Sequence, residues 1–473
     1  MTSCARAGGA ASLAIATAAL ASLAVLPGCG STPAPFQPAA GFAVPAGWSQ
    51  PVPAGTGSLA AWWGVFGDEQ LVALVEAAQR ANADIAIAGA NLRQARALRD
   101  QSAADLWPGL SAGGGAQRSR NGAGGATRLE AGFDASWELD VFGAAGRGVA
   151  AQEALVRSSA ATLAAVQVSV AAEVALAYLE LRGAQVRFAV ARENLASQEE
   201  TLQISRWRQQ AGLATSLEVE QAVGAVEQTR AQLPTLQATA ARAAHALAVL
   251  TGQPPAALAS RLAAAAPLPQ PAAELAVALP AQTLRHRPDL LAAEERLRAA
   301  AERVAQADAQ RKPGFVLAAS LAWTGTTLGS LGSTAAARSL LGSVTQPLFD
   351  AGRRDAQLAG REAELDAAQQ DYRAGVLAAL QEVEDALAAL AATRQRQGAL
   401  ARALEAARNA ALLATQRYAG GVIDFQTVLE TQRTLLGVQD GVAAAQAEFA
   451  AGHVRLYKAL GGGWRPAAQE SPW

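Results

Sequence analysis

The sequence is short of most of what site chemistry draws on. In 473 residues there are one methionine, two cysteines and three histidines, too little to build a metal site from soft or imidazole ligands. The histidines, His245, His286 and His453, are scattered along the chain. There is no Walker A loop and no His-Glu-x-x-His pair, and no serine nucleophile elbow is expected. Neither an enzyme nor a cofactor is implied. Charge of one sign is also missing. Thirty-nine Lys and Arg face 40 Asp and Glu for a net charge of −1, whereas nucleic-acid binding would leave a basic footprint. Beyond the N-terminus no run of ~20 residues is apolar throughout, as a spanning helix requires. A mature chain that crosses a membrane must do so as a β-barrel.

What is abundant is alanine, roughly a quarter of the chain. Aromatics are only 5% of residues, although 51% are hydrophobic. Alanine is the strongest helix former and permits close helix approach, so long, tightly packed helices are expected. The N-terminus has one charge, Arg6, then an apolar stretch from Ala10 to Leu26 that ends at Leu26-Pro27-Gly28-Cys29. A stretch so placed and followed by Pro/Gly-rich sequence predicts a signal peptide over 1–28. The closing four residues resemble a bacterial lipobox, which implies that Cys29 carries the lipid anchor. Loss of Cys4 with the signal would leave Cys29 the only cysteine, so no intramolecular disulfide is expected. Residues 29–60, rich in Pro, Gly and Ala, read as a tether.

The rest divides into two similar halves. Asn82-Ala83-Asp84-Ile85 answers to Arg287-Pro288-Asp289-Leu290 at an offset of 205 (289 − 84), and Leu92 and Pro108 meet Leu297 and Pro313 in step. Ala145-Gly146-Arg147 meets Ala351-Gly352-Arg353, and Arg208, Gly212 and Val219 meet Arg417, Gly421 and Val428. This common order predicts a duplication, with repeats at 61–252 and 288–464, a linker at 253–287 and a tail at 465–473. Each repeat is expected to hold a helix (68–105; 289–311), a strand hairpin (107–142; 313–349), a long helix (145–210; 352–418) and a return helix (215–250; 424–460). Neither long helix contains proline, and each would reach ~100 Å. Glycines 212, 420 and 421 end them, and Pro234 should kink the first return helix.

The strands give the clearest single pattern. From Leu129 to Val141 the odd positions are apolar, while Glu130, Asp134, Glu138 and Asp140 are among the even ones. One greasy and one acidic face suit a transmembrane strand with a wetted lumen; Phe315 to Trp323 and Leu340 to Leu348 read as weaker counterparts. Four strands cannot close a barrel, and an open edge in lipid leaves backbone groups unpaired. Several copies must therefore share one barrel.

Six motifs then carry a resemblance: Ala61-Trp62-Trp63 with Phe66-Gly67-Asp68, Ser136 to Gly143 (SWELDVFG), Arg285 to Asp289 (RHRPD), Gln346 to Asp350 (QPLFD), Glu382 to Ala386 (EVEDA) and Leu456 to Trp464 (LYKALGGGW). Over nearly the whole mature chain the sequence resembles the NodT-type branch of the TolC-like outer-membrane factors. The resemblance implies a mainly α fold with a transmembrane β part. It implies a homotrimer whose 12-stranded β-barrel continues into a 12-helix periplasmic α-barrel. It implies an efflux duct for small molecules, working with a periplasmic adaptor (a membrane fusion protein) and an inner-membrane RND-type pump, while held in outer-membrane lipid. Type I protein secretion, which uses similar ducts, is the alternative. The implied periplasmic gate comprises Tyr418, Asp424, Gln426, Glu430 and Arg433, with Glu430 a constricting acid and Arg433 its pairing cation. Gln426 stands where close relatives carry a leucine.

Overall fold

The computed structural model describes residues 41–50, 59–121, 124–271, 280–331 and 335–464. The signal peptide, Cys29 and the tail therefore lie outside the described residues. The elements are α1 (Glu69–Ala81), α2 (Ala83–Ala104), β1 (Gly109–Asn121), β2 (Gly124–Leu139), α3 (Ala144–Gln210), α4 (Ser216–Leu250), α5 (Ala259–Leu262), α6 (Pro280–His286), α7 (Pro288–Ala309), β3 (Gly314–Gly325), β4 (Ala337–Thr345), α8 (Arg353–Ala419) and α9 (Phe425–Ala459). The duplication is visible in element lengths. Helices α2 and α7 have 22 residues each, α3 and α8 have 67, and α4 and α9 have 35.

Two sequence expectations need correction, and one motif needs an account. The helix expected over 68–105 is broken at Asn82, whose backbone is extended and whose side-chain oxygen accepts from Asp84 N and Ile85 N. A side chain that caps the next turn ends the previous helix locally. Its repeat counterpart, Arg287, also separates two helices, α6 and α7, but there the cause is Pro288, which disfavours helical backbone at the residue before it. Next, β2 stops at Leu139, so Asp140 is not a strand residue. Its carboxylate accepts from Ala145 N and Gly146 N at 3.0 and 2.7 Å and so satisfies orphan donors at the start of α3. Lastly, Gly109-Leu110-Ser111-Ala112-Gly113 fits the letters of a serine elbow, which needs a sharp strand-to-helix turn. All five residues instead pair with β2 inside β1.

Helix α3 is also long and apolar enough over part of its length to cross a membrane, by composition alone, which the sequence reading did not single out. Of that stretch 39% is buried, and Val170, Ala171, Val174, Ala175, Tyr178 and Leu179 of the same helix belong to the core. Helix α4 continues through Pro234.

By contact density the chain forms two units. The smaller holds the sheet, ordered β1-β2-β3-β4 and antiparallel throughout. Its register pairs like with like. Phe133 lies opposite Ala112 and Leu321, Ala131 opposite Trp323, and Asp134 opposite Ser111 and Ser320. The apolar face thus runs across all four strands, and β1 and β4 are left as edges. The larger unit is helical. Its main core gathers Trp62, Leu71, Leu74, Tyr178, Leu181, Leu247 and Tyr457.

Five of the motifs find structural reasons. In the larger unit, Trp62 stacks on Tyr457 at 5.0 Å. The glycine run passes so close that a Cβ at Gly462 would meet Trp62 Cδ1 at 3.1 Å. Arg287, 7% exposed, bonds Asp289 through two nitrogens, Glu382 Oε2 at 2.7 Å and the Ala459 carbonyl at 2.9 Å. Glu384 accepts from Ser49 N at 2.9 Å. In the smaller unit Trp137 donates to Leu106 O at 3.0 Å.

Arg287→Ala should cost about 2–3 kcal/mol per chain, less than the ~3–5 kcal/mol of a fully buried pair because its carboxylate partners stay half exposed. A melting temperature within a degree of the parent would contradict this.

Candidate functional site

Each long helix turns into its return helix through the same short loop. Gly212 and Gly421 adopt φ of 72° and 73°, which glycine alone takes without strain. Leu213 N bonds Arg208 O at 2.7 Å and Val422 N bonds Arg417 O at 2.9 Å, the pattern that closes a helix C-terminus. The return helices start on side-chain caps. Thr215 forms a capping box with Glu218, and Asp424 accepts from Thr427 N at 3.0 Å. Bonds from the Thr427 hydroxyl and backbone hold the Asp424 carboxyl below its ordinary range. A depressed pKa means that this cap is present at neutral pH and is lost as pH falls through that lowered value.

Below the loops all four helix ends share one apolar cluster: Leu195 and Leu202 of α3, Val219 and Val226 of α4, Tyr418 of α8, and Phe425, Val428 and Leu429 of α9. Tyr418 is its polar hinge. The ring is 6% exposed and lies 5.3 Å from Phe425. Arg208 sits over its face at 4.4 Å and donates to the Tyr418 carbonyl at 3.1 Å. The hydroxyl donates to Glu218 Oε2 at 3.1 Å. Burial, then the Glu218 bond and charge, push its pKa up, so the donor persists through neutral pH. Glu218 and Arg208 were not among the expected gate residues. The capping-box spelling Thr215-x-x-Glu218 was readable, but nothing local links Glu218 to a tyrosine 200 positions away.

The remaining gate candidates behave differently. Glu430 and Arg433 are exposed, and among the described residues neither makes an ion pair within its own chain. Gln426 is exposed and accepts from Gln221 at 3.4 Å. The tip therefore combines a packed hinge of Tyr418 and Phe425 with a set of free polar groups. Large apolar side chains are also exposed there: Leu213 at 69%, Leu217 at 65% and Val422 at 74%.

In the sheet, Glu130, Asp134 and Glu138 share one face of β2 and are exposed. Arg128 approaches Glu130 at 4.0 Å. The same face of β3 and β4 carries no acid, so β2 alone supplies its negative charge. Among the described residues no group of three or more His, Cys, Asp or Glu could hold a metal ion.

Comparisons with known proteins agree with this geometry. The outer membrane efflux protein family matches residues 74–253 and 279–462. The pyoverdine export outer membrane protein OpmQ of Pseudomonas putida is 35% identical over 92% of this chain and 95% of its own length. Nodulation protein T of Rhizobium leguminosarum bv. trifolii is 27% identical over 87% and 90%. The solved structure of the outer-membrane channel OprN superposes with a TM-score of 0.84 at 36% identity, covering 90% of this chain and 99% of that one. The fold is that of TolC-like channels, proteins that conduct rather than catalyse. The chain belongs to the outer membrane efflux protein family, with its strands in the outer membrane and its helices in the periplasm.

Proposed function

We propose that three copies assemble into the exit duct of a tripartite efflux system. They receive small molecules from an inner-membrane RND-type pump through a periplasmic adaptor. The observation that carries this reading is the four-stranded sheet with two open edges. Backbone groups along β1 and β4 need partners in lipid, and a neighbouring copy's β4 meeting β1 supplies them, giving 12 strands from three chains. Small-molecule cargo, rather than polypeptide, is favoured by a relative whose own name is pyoverdine export protein. Cys29, where a lipobox-like spelling ends, anchors the N-terminus through acyl chains.

At the periplasmic end the free charges of Glu430 and Arg433 are available to pair between copies. A surface ion pair contributes only ~0–1 kcal/mol, but threefold symmetry repeats it. Asp424 and Gln426 lie beside them, and Tyr418 holds each chain's own helix ends together. An adaptor that binds the splayed tip better than the closed one shifts the balance to open. The exposed Leu213, Leu217 and Val422 suit such an apolar docking surface. Trimers carrying Glu430→Ala or Arg433→Ala should conduct several-fold better than the parent in planar bilayers. Unchanged conductance in both variants would refute the gate.

The three acidic positions per copy, Glu130, Asp134 and Glu138, line the barrel lumen and favour cations. Reversal potentials in a salt gradient should show cation preference, and Glu130→Gln, Asp134→Asn and Glu138→Gln together should abolish it. Anion preference in the parent would contradict the lumen assignment.

A further inference from the structure

The apolar face of the sheet changes character at its hairpin ends. Along β3 that face runs Phe315, Leu317, Ala319, Leu321 and Trp323, and the register carries it onto β2 and β4. Aromatic pairs mark both ends of the band. Phe142 lies 6.3 Å from Phe315, and Phe133 lies 6.5 Å from Trp323. The eight residue steps from Phe315 to Trp323 span ~26 Å along the strand, or ~20 Å across the bilayer at a typical tilt. That is close to the apolar band of an outer-membrane barrel.

At the hairpin end the same face carries arginine. On β1, Leu110, Ala112, Gly114 and Ala116 are followed by Arg118 and Arg120, which lie opposite Thr127 and Gly125 at the turn end of β2. On β4, Val344, Gly342 and Leu340 lead to Arg338, opposite Leu321. All three arginines are exposed, and among the described residues none pairs with a carboxylate. No Asp or Glu occurs from Leu106 to Leu129 or from Ala309 to Phe349. The acids of β2 occupy the opposite face. A second copy of the chain therefore brings no counter-charge to this face either.

We propose that Arg118, Arg120 and Arg338 form a site for the phosphate of an anionic lipid headgroup in the outer leaflet. The helices lie in the periplasm, so the hairpin turns point outward; Arg118 and Arg120, past the row of Trp323, stand at headgroup level, and Arg338, in the row of Leu321, reaches that level by extending its long side chain from just inside the band. Guanidinium groups bind phosphate through two parallel N–H bonds, and their planar fork suits that geometry better than lysine does. Because β1 and β4 are the sheet edges, assembly brings Arg338 of one copy onto the same stretch of wall as Arg118 and Arg120 of the next. This last point rests on the trimer reading above.

The test uses the intact trimer in phosphatidylcholine nanodiscs, titrated with bis-phosphorylated lipid A, dephosphorylated lipid A and inorganic phosphate. The parent should bind the phosphorylated lipid in a salt-sensitive way. Arg118→Gln, Arg120→Gln and Arg338→Gln combined should weaken it roughly 100-fold. The triple Arg→Lys variant should fall between. Conductance and particle mass, read on the same samples, should match the parent and show that the variants are assembled. Equal affinity of the parent and the triple Gln variant would overturn the site, as would equal affinity for the dephosphorylated lipid. Tight binding of inorganic phosphate alone would reduce it to a free-anion site and overturn the lipid assignment. Failure to assemble at all in the parent would instead count against the trimer.

Discussion

Leu340→Arg is expected to abolish assembly in the outer membrane, whereas Leu341→Arg is expected to leave assembled, conducting trimers. The two leucines are sequence neighbours, both highly exposed in the single chain, at 72% and 62%. Register separates them. Leu340 pairs with Ala319, on the face of Trp323 and Phe133, and Leu341 pairs with Ala318, on the face of Asp134 and Ser320. An arginine facing lipid near the bilayer midplane costs about 2–4 kcal/mol, so a symmetric trimer meets it three times, ~6–12 kcal/mol in all. The lumen-facing arginine stays in water and should cost little. Heat-stable oligomer in outer-membrane fractions, scored on unboiled gels, reads both variants. Equal yields from the two would mean that the apolar face does not meet lipid.

The second large effect belongs to Tyr418. Truncation to alanine removes a buried ring from the four-helix cluster at the tip, a change that costs about 3–5 kcal/mol for large aromatics. It also frees Glu218 and removes the surface on which Arg208 rests. Tyr418→Phe loses the hydroxyl's bonds, chiefly the one to Glu218, ~1 kcal/mol at this half-exposed carboxylate. Tyr418→Ala should therefore loosen the tip, with higher bilayer conductance and faster proteolysis near Gly212 and Gly421, while Tyr418→Phe stays close to the parent. Identical cleavage rates for all three proteins would show that the cluster does not hold the tip shut.

The contrast between Tyr418 and Glu430 shows what the chain discloses on its own. Patterns set by neighbours in sequence were legible. Alanine-rich sequence without proline, ended by glycine, marked both 67-residue helices to within a residue or two. Strict alternation marked β2, and glycine marked the loops between long and return helices. Where a side chain bonds its own backbone the pattern misled. Asp140 continued the alternation by letter yet caps α3, and Asn82 passed as helix while ending one. Pairings across the duplication were out of reach, because Tyr418 and Glu218 meet only once both repeats are folded. Among the described residues Glu430 and Arg433 have no ion-pair partner in their own chain, so their proposed role belongs to the assembly rather than the fold.

The account depends on edge strands that find their partners on other copies of the chain. Native mass spectrometry of the detergent-extracted, unmodified protein weighs the particle directly. Three chains per particle, held together without denaturant, is the expected result. A stable single-chain particle with no conductance would contradict it, since a lone sheet with both edges open cannot sit in a bilayer.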